Sequence, residues 1–117
     1  MGQPNQIIVE RRGSVAVFHI NGDVTAASEP SFKLAYEQPD TDTAEKILLK
    51  FDEHGYINSG GIGVLIQFLA HTQRKSQQVA ITGLSEHFKK IFRMVGITKF
   101  ATIYPTMEEG LQGMLNV

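Results

Sequence analysis

Apolar residues follow two patterns that alternate along the chain. Short continuous apolar runs are typical of strands, and longer segments with helical spacing are typical of amphipathic helices. The Ile- and Val-rich segments 7–12 and 14–21 are joined at Arg12-Gly13, which predicts a β-hairpin with a tight turn. The other predicted strands are 46–51, 78–82 and 98–104. The first of these three, KILLKF, is short and apolar enough for a central strand that is buried on both faces.

Helical spacing separates these strands. Residues 26–38 are predicted to form the first helix, with Pro30 in its first turn and Pro39 just beyond its end. The next two helices, the first of which begins near Gly60, carry apolar residues at i, i+3, i+4 and i+7, so each should bury one stripe. The two stripes are Ile62, Leu65, Ile66 and Leu69, and Phe88, Ile91, Phe92 and Val95.

The remaining helix signals complete an α/β pattern. Gly96 is placed to end the third helix in the left-handed conformation. Thr106 and Glu109 predict a capping box for a last helix through Leu111, Met114 and Leu115. Strands that alternate with helices predict a mostly parallel sheet, which here starts with an antiparallel hairpin. At 117 residues the chain is expected to be a single domain, 1–117, with a substantial core.

Composition narrows the classes of function. The net charge of −1 gives no broad basic field, and nucleic-acid-binding signatures are missing, so no nucleic-acid partner is expected. No apolar run is long enough for a membrane helix, and the N-terminus has no signal-peptide pattern, so we expect no membrane insertion. The chain has no cysteine, which excludes thiolate chemistry and fits a cytoplasmic location.

The residues give little support for an enzyme. None of the four histidines stands at metal-ligand spacing from another, and neither a phosphate-binding loop nor a nucleophile elbow is present. Asp52-Glu53-His54 follows the KILLKF strand, where α/β proteins often place sites, but a solvated loop is the favoured interpretation. We therefore predict no catalytic residues, no metal site and no cofactor.

One segment, 57–65 (INSGGIGVL), is unusual because it opens a helix with three glycines. Either Asn58 or Ser59 would serve as N-cap of that helix. A cap alone does not explain the glycines, each of which costs about 1 kcal/mol relative to alanine in a helix. We interpret them as a flat surface that another backbone or a bulky group can approach.

The chain resembles a STAS domain, specifically the bacterial anti-sigma factor antagonists, over nearly its whole length. A strand ends in Gly22-Asp23-Val24, as in that family, and a later segment ends in Met94-Val95-Gly96-Ile97 followed by Phe100. The family's Asp-Ser-Ser-Gly-Leu-Gly-Val-Leu core is matched position by position by Asn58-Ser59-Gly60-Gly61-Ile62-Gly63-Val64-Leu65. The resemblance implies a STAS fold, with a sheet of about five strands and helices packed mainly on one face.

The resemblance also implies a function. Members of this family bind an anti-sigma factor with serine kinase activity, in a partner-switching pathway that frees a sigma factor. The kinase phosphorylates the antagonist on a serine that corresponds to Ser59, and a PP2C-type phosphatase reverses the modification. The expected partner-binding residues are Asp23, Thr25, Asn58, Ser59, Gly60, Gly61, Gly63 and Gln67.

Three positions depart from the family pattern: Asn58 replaces the core Asp, Gly60 replaces the second serine, and Thr25 replaces a frequent Asp. If the kinase needs those acids to position the hydroxyl, Ser59 is a poor substrate. If it does not, Asn58 removes a like charge beside the phosphate and makes the modified form easier to accommodate.

Two alternatives remain open at this stage. The first is a STAS domain without phosphorylation, which acts as a scaffold or as an accessory subunit of a transport or stress-signalling complex. The second is a sensor that binds a nucleotide or lipid in a groove between Asp23 and Ser59, although no phosphate-binding motif supports it.

Overall fold

A computed structural model describes residues 6–115 and contains a five-stranded sheet with strand order β1-β2-β3-β4-β5. The strands are β1 Ile7–Arg12, β2 Val15–Ile20, β3 Lys46–Lys50, β4 Gln78–Thr82 and β5 Thr102–Ile103. The first two are antiparallel and every later neighbour is parallel, which confirms the predicted mixed α/β sheet. The hairpin turn lies one residue later than predicted, at Gly13-Ser14, because Arg12 pairs with Val15 and Gly13 takes the positive φ of 59°.

The helices are α1 Glu29–Glu37, α2 Pro39–Asp42, α3 Ser59–Arg74, α4 Glu86–Met94 and α5 Met107–Leu115. The predicted helix 26–38 is divided, because Thr25 caps a separate 3-10 turn at Ala26–Ser28 before α1 begins. Pro39 follows α1 as predicted, and it starts the short helix α2. Both prolines fall in the first turn of a helix, where a missing N–H removes no intrahelical hydrogen bond.

The two faces of the sheet are covered unequally, as predicted. One face carries the larger core, to which α1, α3 and α4 contribute Phe32, Phe68 and Phe92. On the other face, Val15 and Val17 of β2 and Leu48 of β3 pack with Met114 of α5. Strand β3 is buried on both faces, which confirms the interpretation of KILLKF.

The buried stripe of α3 differs from the predicted one. Leu65 and Leu69 are buried, but Ile66 is 47% exposed and Ile62 is half-buried. The buried residues of α3 are Gly61, Val64, Leu65, Phe68, Leu69 and Thr72. Phe68 sets this orientation, since its ring packs at 5.6 Å from that of Phe18 on the sheet.

The region after α4 also differs from the prediction. Gly96 has a φ of 84°, which confirms its left-handed role, but Val95 is exposed rather than part of the buried stripe. Residues Ile97–Lys99 form a 3-10 turn, so only two residues of the predicted strand 98–104 join the sheet. At α5, the Thr106 hydroxyl accepts a hydrogen bond from the Glu109 N–H, which is one half of the predicted capping box.

Candidate functional site

The site lies at the start of α3. Asn58 has an extended backbone and is the N-cap, because its Oδ1 accepts a hydrogen bond of 2.8 Å from the Gly61 N–H. Ser59 is therefore the first residue of the helix and not its cap, contrary to one of the two expectations. Its side chain is exposed and forms no hydrogen bond with another residue in the 6–115 range. The hydroxyl is free to react while Asn58 holds the helix end.

Two loops are joined beside this helix start. Val24, after β2, forms a parallel bridge with Ile57, after β3. The Val24 N–H donates to Tyr56 O at 2.8 Å, and Val24 O accepts from the Asn58 N–H at 3.2 Å. Asp23 adds a third link, because its Oδ1 accepts a hydrogen bond of 2.9 Å from the Tyr56 N–H. The end of β2 thus fixes the position of Asn58 and, with it, the entry of α3.

The glycines of the segment have different roles. A Cβ on Gly61 would lie 2.2 Å from Val24 O, and one on Gly60 would lie 3.0 Å from Ala26 N. The close approach of the chain after β2 therefore requires glycine at position 61, which is buried, whereas a side chain at position 60 would be a tight fit against Ala26. A Cβ on Gly63 would meet no atom within 4 Å in the described structure. Gly63 fits the interpretation of a flat surface, whereas Gly61 serves the fold.

The other predicted binding residues surround Ser59 or follow it along α3. Asp23 is exposed, and Thr25 is half-buried because its Oγ1 accepts a hydrogen bond of 3.1 Å from the Ala27 N–H. Gly63 and Gln67 are exposed on α3, and Gln67 also lines a groove of about 490 Å³ between α1 and α3. The structure therefore brings all the predicted residues together at one surface except Gly61, which lies beneath it.

The acidic triplet after β3 has a structural role. The Asp52 carboxylate accepts hydrogen bonds from the His54 N–H at 3.0 Å and from the Gly22 N–H at 3.3 Å. These two hydrogen bonds hold the pKa of Asp52 below its ordinary value, and the bond from the His54 N–H contributes the most. A carboxylate with a lowered pKa is a weak base, and its two hydrogen bonds tie two loops together, which agrees with the favoured interpretation of a non-catalytic loop.

Tyr56 is a surface residue that the sequence analysis missed. Its side chain is 60% exposed, and its ring packs edge-on against that of Phe88 with centroids 5.6 Å apart. It lies two residues before Asn58 and donates its backbone N–H to Asp23. The sequence could have indicated this residue, because Tyr56 is an aromatic residue in a polar loop next to the glycine segment. Exposed aromatic residues are enriched in binding surfaces.

Other site chemistry is limited in the described part of the chain. Within residues 6–115, no group of three or more His, Cys, Asp or Glu side chains is arranged to hold a metal ion. No helix in that range is long and apolar enough to cross a bilayer. His19, on β2, is half-buried with its Nε2 2.8 Å from Glu10 Oε1.

The chain and its fold match known proteins. The STAS domain family model matches residues 6–110, so the chain belongs to the STAS domain family. Similar solved structures include TM1081 from Thermotoga maritima, with a TM-score of 0.76 and 17% identity over 92% of each chain.

An anti-sigma factor antagonist from Mycobacterium paratuberculosis has a TM-score of 0.76 at 16% identity, and the match covers 93% of this chain and 92% of that one. The Bacillus cell fate determinant SpoIIAA, in its phosphorylated form, has a TM-score of 0.63 at 14% identity, with 92% and 98% covered. At these identities the likeness shows a shared fold.

Proposed function

We propose that this protein is an anti-sigma factor antagonist that is switched by reversible phosphorylation of Ser59. Its unmodified form binds an anti-sigma factor with serine kinase activity, and a PP2C-type phosphatase restores that form after phosphorylation. The observation that carries the proposal is the exposed, unbonded hydroxyl at the first residue of α3. The phosphorylated form of SpoIIAA, a protein of the same fold, gives further support.

A phosphate at Ser59 is compatible with the fold. The first N–H groups of a helix have no intrahelical partner, and the helix dipole favours negative charge at this end. The first turn of α3 contains no acidic residue, so a phosphate there meets no like charge within the helix start. We therefore expect phosphorylation to leave the fold intact and to act on binding.

The replacement of the family's Asp by Asn58 does not remove the cap. The Asn58 Oδ1 accepts the Gly61 N–H, as a carboxylate oxygen at this position would. What changes is the charge beside Ser59, because the amide is neutral. A phosphate of about −1.5 to −2 charges is easier to place next to an amide than next to a carboxylate.

The proposed binding surface consists of Asp23, Thr25, Asn58, Ser59, Gly60, Gly63 and Gln67, with Tyr56 added from the structure. A bulky dianion at Ser59 would block close approach to this surface and repel an acidic partner surface. Asp23 and Asn58 also hold the loops, so substitutions there affect both the fold and the surface.

The proposal is tested with Ser59→Asp and Ser59→Ala against a cognate anti-sigma kinase. We expect Ser59→Asp to keep its Tm within a few degrees and to lose affinity in calorimetry. We expect Ser59→Ala to bind and to resist phosphorylation when incubated with the kinase and ATP, with phosphate located by mass spectrometry. Gln112→Glu, which adds a negative charge on α5 at the other face of the sheet, is the matched control.

The outcomes separate the switch from the alternatives. Tight binding by Ser59→Asp would rule out the switch. A wild-type protein that binds the kinase but accepts no phosphate would instead be a scaffold, the first alternative of the sequence analysis. A melting-temperature shift with a nucleotide or a lipid would favour the sensor.

A further inference from the structure

An apolar groove lies between the second half of α3 and the segment that follows α4. Its volume is about 390 Å³. The lining residues are Ile66, Leu69, Ala70, Gln73, Arg74, Val95, Gly96, Ile97 and Phe100. Three of these apolar side chains, Ile66, Val95 and Phe100, are each about half exposed. Exposed apolar side chains that line one groove mark an interaction surface.

The groove is lined by one cation and by no acidic residue. The elements that supply its lining, α3 and the chain from α4 to Phe100, contain a single Asp or Glu residue, Glu86. Glu86 is paired with Lys89 at 2.8 Å. Arg74, which lines the groove, and Lys99, which lies between two lining residues, form no ion pair with any residue from 6 to 115.

We propose that this groove binds an amphipathic helix of a partner protein whose polar face is acidic. A helix of this kind places apolar residues at i, i+3, i+4 and i+7 into a groove and leaves its charged face at the rim. Apolar contact with Ile66, Val95 and Phe100 supplies affinity, and the unpaired cations select acidic over basic partners. Because the chain as a whole is slightly acidic, this preference belongs to the groove and not to the overall charge.

The groove is continuous with the proposed Ser59 surface. Gly63, Ile66 and Ala70 succeed one another along the exposed side of α3. Ile66 is seven residues from Ser59, which is about 10 Å along a helix. That distance is slightly more than the Debye length of about 8 Å in physiological salt, so the repulsion between a phosphate at Ser59 and an acidic helix seated here would be partly screened and should strengthen as salt is lowered. The identity of the partner, the anti-sigma kinase, rests on the proposed function. The chemistry expected of the bound helix rests on the groove alone.

The chemistry of the groove is tested first without the partner. The probe is a synthetic amphipathic helix of about 18 residues with leucine on one face and glutamate on the other, and its twin carries lysine in place of glutamate. Amide NMR shifts should move at Ile66, Ala70, Val95 and Phe100 with the glutamate peptide and should weaken as salt is raised. No shifts in the groove, or equal shifts with the lysine twin, would overturn the proposal.

Substitutions then test the partner. Ile66→Ser with Phe100→Ser should weaken binding of the anti-sigma kinase by about tenfold or more. Arg74→Glu with Lys99→Glu should weaken it and flatten its salt dependence. Leu34→Ser, at an exposed position of α1, is the matched control for lost apolar area, and Gln112→Glu, on α5 at the other face of the sheet, is the control for added negative charge. Circular dichroism checks that each variant remains folded.

The results distinguish this inference from the proposed function. If the kinase binds wild type and Ser59→Asp blocks it, while both groove variants bind normally, the switch stands and the groove proposal is wrong. If the kinase fails to bind wild type but the glutamate peptide still binds the groove, the proposed function is wrong and the groove stands. Wild-type self-association that the groove variants abolish would overturn the proposal in favour of a second copy of the chain.

Discussion

Helices α3 and α4 both begin with a capped first turn, but serine has a different position in each. In α4, Ser85 is the cap, and its hydroxyl accepts a hydrogen bond of 3.3 Å from the Phe88 N–H. In α3, Asn58 is the cap and Ser59 follows it as the first helical residue. The corresponding position in α4 is Glu86, a carboxylate at the positive end of the helix.

The difference explains why one serine is suited to regulation. A serine that caps a helix contributes its hydroxyl to the fold, so modification there removes a hydrogen bond. Among residues 6–115 the Ser59 hydroxyl bonds to no other residue, and Ser59 occupies the position where α4 has a negative charge. Phosphorylation would give α3 the charged first turn that α4 has permanently, and the binding surface would change while the scaffold remains.

The largest change in the free energy of unfolding is expected at Gly61, where glycine serves the fold, and it should be opposite in sign to the change at Gly63, where it does not. Gly61→Ala should lower the free energy of unfolding by about 3 kcal/mol, because its Cβ would overlap Val24 O and force the backbone to move. Gly63→Ala should instead raise it by about 0.5–1 kcal/mol, because its Cβ meets open space and alanine favours the helix. Urea unfolding of both variants measures the difference, and equal changes would contradict it.

A smaller effect should distinguish the two caps. Asn58→Ala should cost about 1 kcal/mol, because the Gly61 N–H loses its 2.8 Å partner. Ser85→Ala should cost less, since the hydrogen bond that it removes is longer at 3.3 Å. Asn58→Asp keeps an acceptor and is the control. Thermal unfolding that ranks Ser85→Ala as the more damaging change would show that Asn58 is not the main determinant of the α3 start.

A negative charge in the first turn of α3 or α4 is expected to change the stability by less than the loss of a cap does. Ser59→Asp should raise the stability by about 0.3–0.5 kcal/mol at low salt, as a negative charge does at a helix N-terminus. Glu86→Gln should act in the opposite direction on α4, where the Lys89 hydrogen bond holds the pKa of Glu86 below its ordinary value. Both effects should shrink in 1 M salt. A Ser59→Asp protein that is clearly less stable than wild type would contradict the comparison.

The smallest effect concerns the loop that leads to α3. The pKa of Asp52 is lower in the folded protein than its ordinary value, so its contribution to stability is present above that value and is lost as pH falls through the folded pKa. Asp52→Asn should therefore flatten the decline of Tm between about pH 5 and pH 2. Glu37→Gln, at an exposed position of α1, is the control, and identical pH profiles for Asp52→Asn and wild type would refute the role of Asp52.

Much of the fold was predictable because its signals are local. Strand β4 has the predicted ends, and β3 differs from its predicted strand by one residue, because short apolar runs bounded by polar residues leave little freedom. The segment 98–104 has the same β-rich character, yet only Thr102–Ile103 pair with β4. The left-handed Gly96 redirects the chain, and Ile97 is buried as an anchor, so tertiary contacts outweigh the propensity of this segment.

The residues of the site could be predicted from the sequence, but the structural role of each residue could not. Asn58 and Ser59 are both good caps in isolation, and the choice between them depends on Val24, which bonds the Asn58 N–H from 34 positions earlier in the chain. The need for glycine at position 61 likewise comes from Val24. Contacts between residues so far apart in sequence leave no local periodic signal.

The order of strands in the sheet has a consequence for how the molecule is made. Each strand lies beside the one that precedes it in the chain, from the β1–β2 hairpin to β5. A nascent chain can therefore form the hairpin first and add each new strand to an edge that already exists, without waiting for a later segment to fill a gap. The edges that β2, β3 and β4 expose are each covered by the next strand to emerge during synthesis, which shortens the time in which these edges of an unfinished sheet could pair with another chain.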